Sequence, residues 1–162
     1  MAMKSLDDLF LHFLKDMYHA EKQILRTLPK MAKKAESDDL RKAFEEHRDE
    51  TEGQIERLEQ VFEMVGKRAR GEYCDAIHGI LEEGKEIMNE AEDKNTLDAG
   101  MIAAAQAVEH YEISRYGTLI AWAKQLGHDK AATLLKQTLD EENHADELLS
   151  KLAESSLNKK AA

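Results

Sequence analysis

Cysteine, proline and glycine are all scarce: 162 residues contain one, one and eight of them. The single Cys74 cannot close an internal disulfide and leaves no CxxC pair for zinc or thiol redox work, which suits a reducing compartment. The shortage of proline and glycine, with few β-branched runs bounded by turn signals, favours an all-helical class over a strand-rich one. No apolar run approaches the roughly 18 residues of a membrane span, and the N-terminus lacks a signal-peptide pattern, so a cytoplasmic protein with no membrane partner is expected. Cationic residues are outnumbered, 23 Lys and Arg against 33 Asp and Glu, for a formal charge of −10. That balance argues against nucleic acid as a partner and is compatible with cation binding or with solubility alone.

What the sequence does have is helical periodicity. Leu6, Leu9, Phe10, Phe13, Leu14, Met17, Ile24, Leu25, Leu28 and Met31 recur at the three-four spacing of an amphipathic helix. Ser5, followed by Asp7 and Asp8, marks its start, and Pro29 is expected to kink it. A second helix after Ser37 presents Leu40, Phe44, Ile55, Leu58, Phe62 and Val65, and stops at Gly66. Residues 66–95 read as a crossover with its own shorter helix from about Asp75. Two further long helices follow, at about 97–126 and 129–155. The expectation is one domain over 1–157, a four-helix bundle with a crossover connection carrying a short fifth helix, and a frayed tail at 158–162.

Each long helix interrupts its apolar stripe near the middle. Glu21 falls on the stripe of the first helix; His47, Glu50, Thr51 and Gln54 interrupt the second; Glu109 and Glu112 lie in the third; Glu141 and His144 lie in the fourth. An internal repeat links them, because an offset of 91 residues carries Glu21 onto Glu112 and Glu50 onto Glu141. Two such hairpins packed face to face bring four glutamates together about a pseudo-twofold axis.

A core glutamate from each of four helices, with a histidine one turn along, is the side-chain set that holds two divalent cations, since four carboxylates offset four positive charges. Without a cation such a cluster repels itself and its pKa values rise. The plainer alternative is a solvated face, with long stems packed and charged heads in water. For His47 the alternative is a hydrogen-bonded packing residue, and Tyr18 is either a hydrogen-bond donor to a carboxylate or plain core.

The segments Ala20-Glu21-Lys22-Gln23, Leu28-Pro29-Lys30-Met31-Ala32, Glu50-Thr51-Glu52-Gly53-Gln54-Ile55-Glu56-Arg57, Ile102-Ala103-Ala104-Ala105-Gln106, Val108-Glu109-His110-Tyr111-Glu112-Ile113, Tyr116-Gly117-Thr118-Leu119 and Thr138-Leu139-Asp140-Glu141-Glu142 span nearly the whole chain. Through them it resembles the bacterial ferritin-like stress proteins of the YciE/YciF type, nearest the YciF branch, and more distantly rubrerythrin-like and bacterioferritin-like proteins. The resemblance implies a ferritin-like bundle, usually a homodimer, associated with stress responses. It further implies two iron ions, or manganese or zinc, on Glu21, Glu50, Glu109, Glu112, Glu141 and His144. The histidine that the template places on the second helix is replaced by Gly53, which leaves His47 or Gln54 as substitutes. The expected function is a stress-response protein with oxidase or peroxidase chemistry on dioxygen or peroxide. The alternative is a non-catalytic helical stress or interaction protein with a weakly occupied site.

Overall fold

In the computed structural model, which describes residues 2–162, the chain is all-helical. Helix α1 spans Leu6–Lys34, α2 Asp38–Met64, α3 Asp75–Glu90, α4 Lys94–Gln125 and α5 Asp129–Leu152. A π-helical turn, Ala153–Leu157, follows α5. Beyond it, where the sequence suggests fraying, Asn158–Ala161 (α6) make a last helical turn that packs on α4.

Local chemistry sets these boundaries. Ser5 Oγ accepts from the Asp8 amide at 3.1 Å, Ser37 Oγ from the Leu40 amide at 3.3 Å and Asp93 Oδ2 from the Thr96 amide at 2.8 Å, each satisfying a first-turn N–H that has no partner inside its helix. The chain leaves α2 at Gly66 (φ 68°) and α4 at Gly127 (φ 79°), left-handed positions that a side chain resists. Pro29 lies inside α1 without ending it.

Helices α1 and α2 form one hairpin and α4 and α5 another. They close a ring in which α1 touches α2 and α4, and α5 touches α4 and α2, while α3, on the crossover, lies outside against α4 and α1. The bundle interior has two apolar halves. One gathers Ile24, Leu28, Leu40, Phe44, Met101 and Leu149. The other gathers Leu14, Met17, Leu58, Phe62, Leu119 and Leu135. On every long helix the residues between these sets are polar and buried: Glu21 on α1; His47, Thr51 and Gln54 on α2; Glu109 and Glu112 on α4; Thr138 and Glu142 on α5. A polar layer therefore crosses the bundle at mid-height.

Candidate metal centre

The layer is built by heptad-like spacing. On α5, Leu135, Thr138, Glu142 and Leu149 succeed one another at steps of three, four and seven, so all face inward, and Glu142 is fully buried. Glu21, seven residues after Leu14, and Glu112, seven before Leu119, are also fully buried. Glu109, one turn before Glu112, is 2% exposed.

One ligand atom each from His47, Glu109, Glu112 and Glu142 falls within a 4.8 Å span. His47 Nε2 stands 3.1 Å from Glu109 Oε1 and 3.8 Å from Glu142 Oε2, without the alignment of a hydrogen bond. Its other nitrogen, Nδ1, lies 3.5 Å from Glu50 Oε2. A Glu50 carboxylate holding the proton on Nδ1 leaves Nε2 as a lone pair aimed at the buried carboxylates, which is how a metal-binding histidine is commonly oriented. Glu21 stands outside that 4.8 Å group, and the buried Tyr116 hydroxyl donates to its Oε1.

These groups are short of partners. Glu21 Oε2, Glu109 Oε2, both oxygens of Glu112, both oxygens of Glu142 and His47 Nε2 are buried with no hydrogen bond. Each such group costs on the order of 1–3 kcal/mol, and more when charged. Burial, and then the Glu142 charge, push the Glu21 carboxyl up to about 8, against the smaller opposing effect of the hydrogen bond from Tyr116. Burial followed by the Glu142 charge likewise raises Glu109 and Glu112 well above the usual carboxylate range. For His47, burial opposes the imidazolium, but Glu50, Glu142 and Glu21 together outweigh it and the pKa rises. Each shift expresses one need: positive charge, as protons or as a cation, between these oxygens.

The donor set fits a cation. Ligand atoms about 2.0–2.2 Å from one ion sit roughly 3 Å from each other, the scale of the His47–Glu109 approach. Carboxylates and imidazole are suitable donors for iron, manganese and zinc.

Not every sequence-predicted residue enters this layer. Glu21, His47, Glu109 and Glu112 do. Glu141 turns aside: Arg57 Nη1 donates to its Oε1 and Nη2 to its Oε2 at 3.1 Å, which ties α2 to α5. His144 is exposed, two residues beyond Glu142 and so on another side of the helix. Glu50 keeps a side chain 32% exposed and acts on His47. Gln54 is buried in the layer but turns to Glu141, its Nε2 3.5 Å from that carboxylate. Tyr18 donates to Glu59 at 2.7 Å rather than to the layer.

Glu142 is the residue that sequence reasoning passed over. The 91-residue offset was sound in register, since it pairs the inward Leu40 with Ala131, Phe44 with Leu135, Thr51 with Glu142 and Leu58 with Leu149. Matching Glu50 to Glu141 followed residue type, whereas the Leu135-Thr138-Glu142-Leu149 spacing carried the burial signal.

Fold and site together define a class: all-helical bundles whose core is cut by a buried carboxylate and histidine layer. The chain belongs to the family described as a domain of unknown function, DUF892, which matches residues 5–162. It is 48% identical to the protein YciF of Escherichia coli strain K12 over 162 residues, 99% of this chain and 98% of that one. The crystal structure of the E. coli stress protein YciF matches with a TM-score of 0.92 at 47% identity, covering 97% of this chain and 99% of that chain. YcfI from Rhodopseudomonas palustris, to which a provisional structural role is attached, matches with a TM-score of 0.89 at 49% identity, covering 91% and 94%. No helix among the described residues is long and apolar enough to cross a membrane.

Proposed function

We propose that this protein is a ferritin-like bundle holding two divalent cations, iron in the first place and manganese or zinc otherwise, in its buried layer, and that it acts on peroxide or dioxygen under stress. One observation carries the reading: Glu21, Glu109, Glu112 and Glu142 are buried and carry unpartnered oxygens, and three of them, Glu109, Glu112 and Glu142, share a 4.8 Å span with His47, a set whose negative charge two +2 ions would offset. A bound pair of reduced iron or manganese ions would supply the two electrons needed to cleave an O–O bond, whereas zinc, which has no redox chemistry, would leave the layer a structural site. The chain's own part is to hold those ligands, to fix His47 through Glu50, to donate a hydrogen bond from Tyr116 to Glu21, and to keep water out with the two apolar halves. The name of the E. coli relative, a stress protein, supports the physiological setting.

A second reading has its own support. The raised pKa values allow the layer to exist protonated and metal-free, and the name given to the R. palustris relative offers a structural role for it, so a non-catalytic bundle is the competing function. Counting iron and manganese in protein purified without added metal, and again after anaerobic Fe(II) loading, separates the two. About two ions per chain, lost in Glu112→Ala and Glu142→Ala, supports the metal centre. No retained metal after loading, with the variants indistinguishable from the parent, refutes it. Peroxide consumption by the loaded protein then distinguishes an enzyme from a metal-stabilised scaffold.

A further inference from the structure

A small cavity of about 30 Å³ opens beside the layer between α1, α2, α4 and α5. Exposure falls along its lining from Glu46 and His144, which are exposed, through half-buried Ala145 to buried His47 and Glu109. Buried Leu28, Phe44, Ala105 and Leu149 supply apolar wall between the polar ends. At the inner end, His47 Nε2 and Glu109 Oε2 lack hydrogen-bond partners. The cavity has room for about two water molecules.

From this we infer that the cavity is the passage by which a divalent cation enters the layer, with Glu46 and His144 as ligands used in transit and not members of the resident set. The inference rests on the metal-binding reading above. A cation carrying its full water shell is wider than the passage, so water must be exchanged for protein ligands at the mouth. A carboxylate and an imidazole placed there lower the cost of that exchange, because each replaces a leaving water with another donor. Beyond them the only intervening donor is the half-buried Glu50 carboxylate, its side chain 32% exposed, before buried His47 and Glu109 draw the ion inward. His144 therefore has a use although its position on α5 separates it from Glu142. The small side chain of Ala145 keeps the bore open; a larger one would close it.

The test uses Co²⁺ alone, added to the full-length metal-free protein, with the visible absorption of the bound ion followed by stopped flow and the final stoichiometry read at equilibrium. In the parent, Co²⁺ binds. The paired substitution Glu46→Gln with His144→Ala, and separately Ala145→Leu, should leave the final stoichiometry unchanged and slow uptake by on the order of tenfold or more, because dehydration becomes limiting. Glu46 and His144 are exposed, so the first variant retains the fold even where a plug at Ala145 strains it. Unchanged uptake rates in both variants would overturn the passage while leaving the metal centre standing. Loss of bound Co²⁺ at equilibrium in the paired variant would make His144 or Glu46 a resident ligand and overturn the transit role. A parent that binds no Co²⁺ would overturn the metal centre itself.

Discussion

The hairpin of α1 and α2 and the hairpin of α4 and α5 turn corresponding positions inward, yet what they place there differs. Leu58 and Leu149, 91 residues apart, are both buried, as are Phe44 and Leu135. In the layer itself, Thr51 of the first hairpin corresponds to Glu142 of the second and His47 to Thr138, while Glu109 corresponds to Tyr18, which lies in the apolar half beside it. The first hairpin thus brings Glu21 and His47, while the second brings Glu109, Glu112 and Glu142. Repetition governs the frame, because packing between helices fixes which positions face in. It does not govern the chemistry, because a buried threonine and a buried glutamate satisfy the same backbone geometry.

The sharpest test of that asymmetry contrasts neighbours on α5. Glu142→Gln should lower Co²⁺ affinity by more than about a hundredfold, since even outer-shell partners of a metal ligand are worth 10–100-fold, whereas Glu141→Gln should change it by less than about tenfold. Equal losses in a titration of the two variants would place the centre on the repeat-matched Glu141 instead.

Acidification probes the same charge imbalance. Glu21, Glu109 and Glu112 have raised pKa values, so the folded metal-free protein binds more protons than the unfolded chain above the ordinary carboxylate pKa of 4.5. Stability from this source is full below 4.5 and is lost as pH rises toward about 8, the Glu21 value; the raised His47 pKa adds loss in the same direction above 6.5. Urea unfolding of chelated protein should show a stability several kcal/mol higher at pH 5.5 than at pH 8, on the order expected for linked buried carboxyls. A saturating cation should reverse the slope, because its ligands must be deprotonated. A rising profile without metal would contradict the charged-layer description.

The shared frame is tested by matched truncations. Leu58→Ala and Leu149→Ala should each cost about 2–5 kcal/mol in denaturant unfolding, with similar values if the two hairpins contribute comparable packing. A smaller loss, about 1 kcal/mol, is expected for Arg57→Ala, because the Arg57–Glu141 pair is partly solvated, with 22% and 23% of the side chains exposed. Thermal unfolding of that variant with and without Co²⁺ checks that the pair joins helices and leaves the layer intact.

Much of this organisation is legible from residue spacing. The helices, their serine starts, their glycine stops and the crossover follow from periodicity and cap chemistry. Glu21, Glu109 and Glu112 are legible because they stand where a hydrophobe belongs, and His47 because it lies nearer the stripe centre than Glu50. The fourth helix is harder to read. Two consecutive glutamates, Glu141 and Glu142, differ by about 100° around the helix, and the Glu141-x-x-His144 spacing is a chemical pattern that does not report burial. The step of seven from Leu135 through Glu142 to Leu149 turns Glu142 inward, and the neighbours across the bundle, Arg57 opposite Glu141 and His47 opposite Glu142, show the outcome.

The polar layer also bears on how the molecule comes apart. Helix centres are ordinarily the slowest segments to open, since they sit deepest in a continuous hydrocarbon interior. Here the centres of α1, α2, α4 and α5 meet at buried polar groups short of partners, which water would solvate on opening, while oily contacts lie above and below. Without an ion the bundle is expected to open as two tight ends about a softer waist, and a cation at the waist would make the four helices open as one unit.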